Sequence, residues 1–169
     1  MAPDRELTTN EDIRPWLLVH QPSENTSDAA LLRQHLKNWT DPSYPQHKKR
    51  VCVAVVLKHP KRIANLRDCL KGVELAKIPT LVIDDEADQA SLNPFAASNQ
   101  AKGTNRTSAN YREVLALKQV FPHHTYVQYT ATPQANLLIN LVDHLYPEFA
   151  ELVSPGAGYV GGATLFKPM

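Results

Sequence analysis

Four carboxylates stand in the five positions from Asp84 to Asp88, directly behind the aliphatic run Leu81–Val82–Ile83. Acid side chains at the end of a buried strand are hard oxygen ligands, of the kind that hold a divalent cation against phosphate oxygens. In that reading one aspartate holds the cation and an adjacent glutamate orients or deprotonates an attacking water. The bland reading is a solvated acidic loop, since charge runs are usually surface features. A second polar strand end, Thr130–Ala131–Thr132–Pro133, follows further along the chain.

Other chemistries fit less well. A two-metal nuclease could use Asp84, Asp85, Glu86 and Asp88, but successive strand residues point to opposite faces, which separates Asp84 from Asp85. No acid-x-Lys pattern follows. The seven histidines form no His-Glu-x-x-His or other ligand spacing, and no Gly-x-Ser-x-Gly elbow is present. Cys52 and Cys69 lack zinc-type spacing and read as buried thiols, one in a strand and one in a helix. The basic clusters His47–Arg50 and Lys58–Arg62 read either as solvated loops or as phosphate contacts for a single nucleic-acid strand. In the second case Lys58, Lys61 and Arg62 lie just beyond a strand end, and Asn105 and Arg106 could join them.

The elements that position these groups alternate. A short strand from Trp16 leads through a Pro/Ser/Asn turn into a helix capped by Ser27 or Asp28. The segment 51–57 is apolar on both parities, as a central strand buried on both faces would be. Ile63, Leu66, Leu70 and Val73 mark one face of the next helix. A third strand enters the acidic cluster, and a polar loop of about twenty residues follows, a length that suggests function or disorder. A helix from Tyr111, a fourth strand ending at the Thr-Ala-Thr-Pro stretch, and a helix after Pro133 complete the pattern. Strand-helix alternation predicts an α/β fold with one mostly parallel sheet covered on both sides. Ligands of such sheets bind beyond the carboxyl ends of the strands, which places Asp84–Asp88 and Thr130–Pro133 on one edge.

The stretch Ile83–Asp84–Asp85–Glu86–Ala87–Asp88–Gln89 resembles the Walker-B, Asp-Glu-Ala-Asp motif of superfamily-two helicases, carried here by Asp85 to Asp88. Thr130–Ala131–Thr132 resembles the Ser/Thr-Ala-Thr motif that couples hydrolysis to movement on nucleic acid in those enzymes. The wider wording, LVIDDEADQASLN, YVQYTATPQANLLI, LYPEF and GYVGGATLF, resembles the Z-one domain family of endonucleases with a helicase-like ATPase core, over roughly residues 51–166. The resemblance implies a three-layer RecA-like domain using ATP and Mg²⁺ on DNA. It further implies Asp85 and Glu86 as catalytic residues, and Asp88 and Gln89 in coupling contact with Thr130 or Thr132.

One departure is plain: no Gly-x-x-x-x-Gly-Lys-Ser/Thr phosphate loop stands anywhere in the 169 residues. Lys102–Gly103–Thr104 has the wrong order and follows the acidic motif. The expectation is therefore a RecA-like half-domain with an incomplete parallel sheet, a fragment or degenerate paralogue that does not hydrolyse ATP alone. It would rely on a missing N-terminal segment, a second RecA-like domain or a partner protein. The alternative is an inactive remnant that binds nucleic acid or protein. Residues 1–14 read as a flexible entry, 15–150 as the partial ATPase domain, and 151–169 as an irregular Gly/Pro-rich tail. The formal charge of +1 leaves a nucleic-acid partner open. The polar N-terminus and the lack of a roughly 20-residue apolar run predict a cytoplasmic protein with no membrane partner.

Overall fold

The computed structural model describes residues 16–89, 91–137, 143–154, 156 and 158. The flexible entry expected over residues 1–14 and most of the irregular tail lie outside the described residues. In chain order the elements are β1 (Leu17–His20), α1 (Ser27–Thr40), β2 (Cys52–Val55), α2 (Pro60–Cys69), β3 (Thr80–Asp85), α3 (Ala96–Lys102), α4 (Ala109–Val120), β4 (His124–Tyr129) and α5 (Gln134–Leu137). The chain is thus mixed α/β, with parallel strands throughout. Among the described residues no helix is long and apolar enough to cross a membrane.

Among the described residues the strands form two two-stranded sheets instead of the single sheet expected. In one, β1 runs parallel to β2 with Leu17 opposite Cys52 and His20 opposite Val55. In the other, β3 runs parallel to β4 from Thr80 opposite His124 to Asp85 opposite Tyr129. Apolar runs identify strands but carry no information about which strands pair, and that is where the expectation failed. Nor is β2 a central strand buried on both faces, since Ala54 and Val55 are exposed. The expected burial of β3 fails in the same way. Leu81 and Ile83 on β3 and Val127 and Tyr129 on β4 share one face by register, and all four are exposed.

The covered side of each sheet makes the core. Val19 of β1, Leu32 of α1, and Leu66 and Leu70 at α2 pack with Leu75 and Ile78 into one buried cluster. Ile63 of α2, Tyr111 and Val114 of α4, and Leu145 form a second, against which Tyr126 of β4 packs. Burying one such aliphatic side chain contributes about 1.5–3 kcal/mol, so α1, α2 and α4 are held mainly by their inward residues. The expected face of α2 is present in Ile63, Leu66 and Leu70, although the helix ends at Cys69. Cys52 falls in β2 and Cys69 in α2, as expected, but only Cys69 is buried; Cys52 is half-buried.

Local signals explain the helix boundaries. The cap of α1 is Thr26, one residue before the expected Ser27; its hydroxyl accepts from Ala29 N at 3.3 Å and donates to Ser23 O at 2.8 Å. The long polar segment after β3 is not wholly a loop, because it contains α3. Gly103, at φ 62°, ends that helix in the left-handed conformation, which gives the Lys-Gly-Thr stretch a structural role as a helix terminus.

Candidate active site at the strand ends

Strand alternation separates the two aspartates that close β3. Asp84 points inward and is buried, whereas Asp85 is exposed. After Asp85 the backbone turns sharply through Glu86, whose φ of 51° is a left-handed conformation unusual for a residue with a Cβ. The turn returns the chain over the end of β4, where Ala87 N donates to Tyr129 O at 3.1 Å. Ala87 itself is 0% exposed.

Asp88 is the far end of this turn and joins it to the exit of β4. Its Oδ1 accepts from Thr130 Oγ1 at 2.6 Å and its Oδ2 from Thr132 Oγ1 at 2.5 Å. Thr132 N in turn donates to Thr130 Oγ1 at 3.0 Å. The two hydroxyl donors favour the ionised carboxylate and hold Asp88 below the ordinary carboxylate range. The two strand ends singled out in the sequence therefore meet on one edge.

Lys58, three residues beyond β2, reaches into the same turn. Its Nζ lies 2.7 Å from Asp84 Oδ1 and donates to the carbonyls of Asp85 at 2.6 Å, Glu86 at 2.7 Å and Gln89 at 3.1 Å. The ammonium has three protons for these four oxygens. Its charge is directed into the protein, away from the phosphate-contacting position considered for it. The other oxygen of Asp84, Oδ2, accepts from Tyr126 at 2.5 Å. Burial, then the Asp84 charge and hydrogen bond, push the Tyr126 hydroxyl far above its ordinary pKa.

Asp85 and Glu86 are the exposed carboxylates of the turn. Asp85 Oδ1 accepts from Glu86 N at 3.1 Å, and Glu86 Oε2 is met loosely by Gln89 Nε2 at 3.5 Å. Among the described residues no group of three or more His, Cys, Asp or Glu converges as a metal cage. The donor set available is one or two hard carboxylates, which fits Mg²⁺ completed by waters and phosphate oxygens. Gln89 contacts Glu86 and, through its carbonyl, Lys58, while the contacts to Thr130 and Thr132 belong to Asp88.

The remaining candidates are spread outward. Lys61 and Arg62 are exposed in the first turn of α2 and take part in no ion pair among the described residues. Arg106 stacks over the Phe95 ring at 4.4 Å, and its carbonyl accepts from Asn93 and Asn99 at 2.9 and 2.7 Å. These bonds order the segment between α3 and α4. An open pocket of about 280 Å³, lined by Asp88, Leu92, Pro94, Ser108 and Asn110, lies beside the Asp88 latch. In the other basic cluster Lys49 is buried, and its Nζ donates to Trp39 O at 2.8 Å at the end of α1.

The helicase-like pattern has no role for Asp84, which the sequence offered only as a ligand in the disfavoured nuclease reading, and Tyr126 was not singled out. The signal for both was strand parity, since Asp84 and Tyr126 are inward residues on paired strands and lie diagonally across the sheet. Comparison with known proteins finds no matching protein family, no matching curated protein and no matching solved structure.

Proposed function

We propose that the chain carries the acidic half of a helicase-like, RecA-type nucleotide-hydrolysing core of the Z-one endonuclease kind, acting on DNA in complete form. The observation that carries this reading is Asp88 held by both Thr130 and Thr132. That latch ties the acidic turn to the end of the adjacent strand and leaves Asp85 and Glu86 exposed beside it. In this reading Asp85 holds Mg²⁺ through water, and Glu86 accepts a proton from water attacking the terminal phosphate of ATP. Mg²⁺, when bound, neutralises developing charge on the phosphates. Lys61 and Arg62, exposed in the first turn of α2, are the cations assigned to contacts with a DNA backbone.

The phosphate-gripping lysine of such sites is not supplied by any motif in this chain, so the purified chain is expected to bind Mg²⁺–ATP weakly and to turn it over undetectably. Addition of an upstream segment or partner bearing a Gly-x-x-x-x-Gly-Lys-Thr loop is expected to produce hydrolysis that Glu86→Gln abolishes. Hydrolysis by the chain alone that persists in Glu86→Gln would overturn the assignment.

A second reading draws on the exposed apolar face of Leu81, Ile83, Val127 and Tyr129. Sheets of parallel strands are ordinarily covered on both faces. The uncovered face favours a protein-binding remnant, which would use the same fold without hydrolysis.

A further inference from the structure

We propose that Lys58 is an internal counter-cation that positions the acidic turn, filling an oxygen cage that would otherwise capture a metal ion. This inference deepens the proposed Mg²⁺ site and rests on that reading for its functional meaning.

The geometry is that of a cation site with a side chain as the cation. One carboxylate oxygen of Asp84 and three backbone carbonyls, from Asp85, Glu86 and Gln89, converge on a single nitrogen at 2.6–3.1 Å. Carbonyls pointing to one centre arise only because the chain doubles back through the left-handed Glu86. Their dipoles repel one another unless a positive charge lies between them. Lys58 supplies that charge from a different sheet, so the carboxyl end of β2 is fastened to that of β3.

Two consequences follow for the reacting edge. The backbone of Asp85 and Glu86 is held by its carbonyls, which directs both side chains outward. Asp84 is also neutralised and covered, so a divalent cation is confined to the exposed Asp85–Glu86 side. Arginine cannot replace Lys58 here, because a planar guanidinium cannot present its protons to four oxygens around one point.

The test uses the full chain, Mn²⁺ as paramagnetic probe, and backbone amide spectra of the wild type, Lys58→Met and Lys58→Met/Asp84→Asn. Lys58→Met keeps the stem and removes the ammonium; the double variant also removes the buried charge and is expected to fold where an unpaired Asp84 would prevent it. In the wild type Mn²⁺ is expected to broaden the Asp85 and Glu86 amides most. In Lys58→Met the centre of broadening is expected to move into the cage, to Asp84 and Gln89, and ethylammonium is expected to compete with it there. A merely structural lysine gives no such relocation. In the double variant the cage gains no cation, and Ala87 and Gln89 amides exchange about tenfold faster, the change expected from losing one charge-assisted hydrogen bond.

The two readings fail separately. If wild-type amides are unaffected by Mn²⁺ while Lys58→Met gains a cation in the cage, the Mg²⁺ site is wrong and the role of Lys58 as cage cation stands. If Lys58→Met leaves the broadening pattern unmoved, or the double variant leaves Ala87 and Gln89 exchange unchanged, the Lys58 proposal is overturned.

Discussion

Thr130 donates its hydroxyl to Asp88 Oδ1 at 2.6 Å, across a sequence separation of 42. This bond and its companion from Thr132 hold the acidic turn against the end of β4. Asp88 has a lowered folded-state pKa, with the Thr130 hydrogen bond the first cause and the Thr132 bond the second. A carboxylate with a depressed folded value binds fewer protons folded than unfolded, so its contribution is present above the ordinary value near ~3.9 and is lost as pH falls through the folded value. The urea midpoint of the wild type should therefore exceed that of Asp88→Asn at neutral pH. The gap should close on acidification below about pH 4. A gap independent of pH would show that the latch does not need the ionised carboxylate.

The Lys58–Asp84 pair should show the energetics of a buried ion pair. Asp84→Ala leaves the mostly buried ammonium without its carboxylate, and the expected loss is about 3 kcal/mol in denaturant unfolding. Replacing both partners, as Lys58→Met/Asp84→Leu, should recover a large part of that loss because no unpaired charge remains. A double variant as unstable as the sum of the singles would contradict the pairing.

Two tyrosines should resist ionisation in alkali. Burial pushes Tyr111 up to about 12, helped by its hydrogen bond to Asp143, and Tyr126 is raised further beside Asp84. A raised folded value means that the stabilising contribution is complete below the ordinary tyrosine pKa near ~10 and is lost as pH rises through the folded value. Ultraviolet titration near pH 11 should show the phenolate signal of the wild type unchanged by Tyr126→Phe. At neutral pH that substitution should cost about 1–3 kcal/mol, since it removes a donor from a buried carboxylate. A phenolate signal lost with Tyr126 at that pH would place the hydroxyl in solvent.

The apolar face of the second sheet should govern solubility. Leu81, Ile83, Val127 and Tyr129 form a contiguous exposed set of the kind that marks an interaction surface or an aggregation hazard. Ile83→Lys is expected to lower light scattering at high protein concentration and to change the unfolding free energy by less than about 0.5 kcal/mol, as for a surface substitution. A large destabilisation would show that the face is covered in solution.

The two polar strand ends and their shared edge were legible in the sequence, and the sheet arrangement was not. The stretches Asp84–Asp88 and Thr130–Pro133 were readable because strand ends are marked by a change from aliphatic to polar residues, while the choice of Asp85, Glu86, Asp88, Thr130 and Thr132 within them came from the motif resemblance; the structure brings Asp88 to both threonines. The destination of Lys58 was not readable. A lysine beyond a strand looks the same in sequence whether it meets solvent, a phosphate or a set of carbonyls, and only the path of the turn decides. The pairing of strands into two sheets depends in the same way on tertiary cover that hydrophobic pattern does not encode. The helix Ala96–Lys102 did leave a signal, Gly103 just past its end, which the surrounding serines and asparagines obscured.

Asp85 and Glu86 are proposed to form the cation-dependent half of a nucleotide site. The most direct test is the fluorescence anisotropy of a methylanthraniloyl-labelled ATP titrated with the full chain, with and without Mg²⁺. The account predicts Mg²⁺-dependent binding that Asp85→Asn removes and that Glu86→Gln retains. Binding that is independent of Mg²⁺, or equal in wild type and Asp85→Asn, would contradict it.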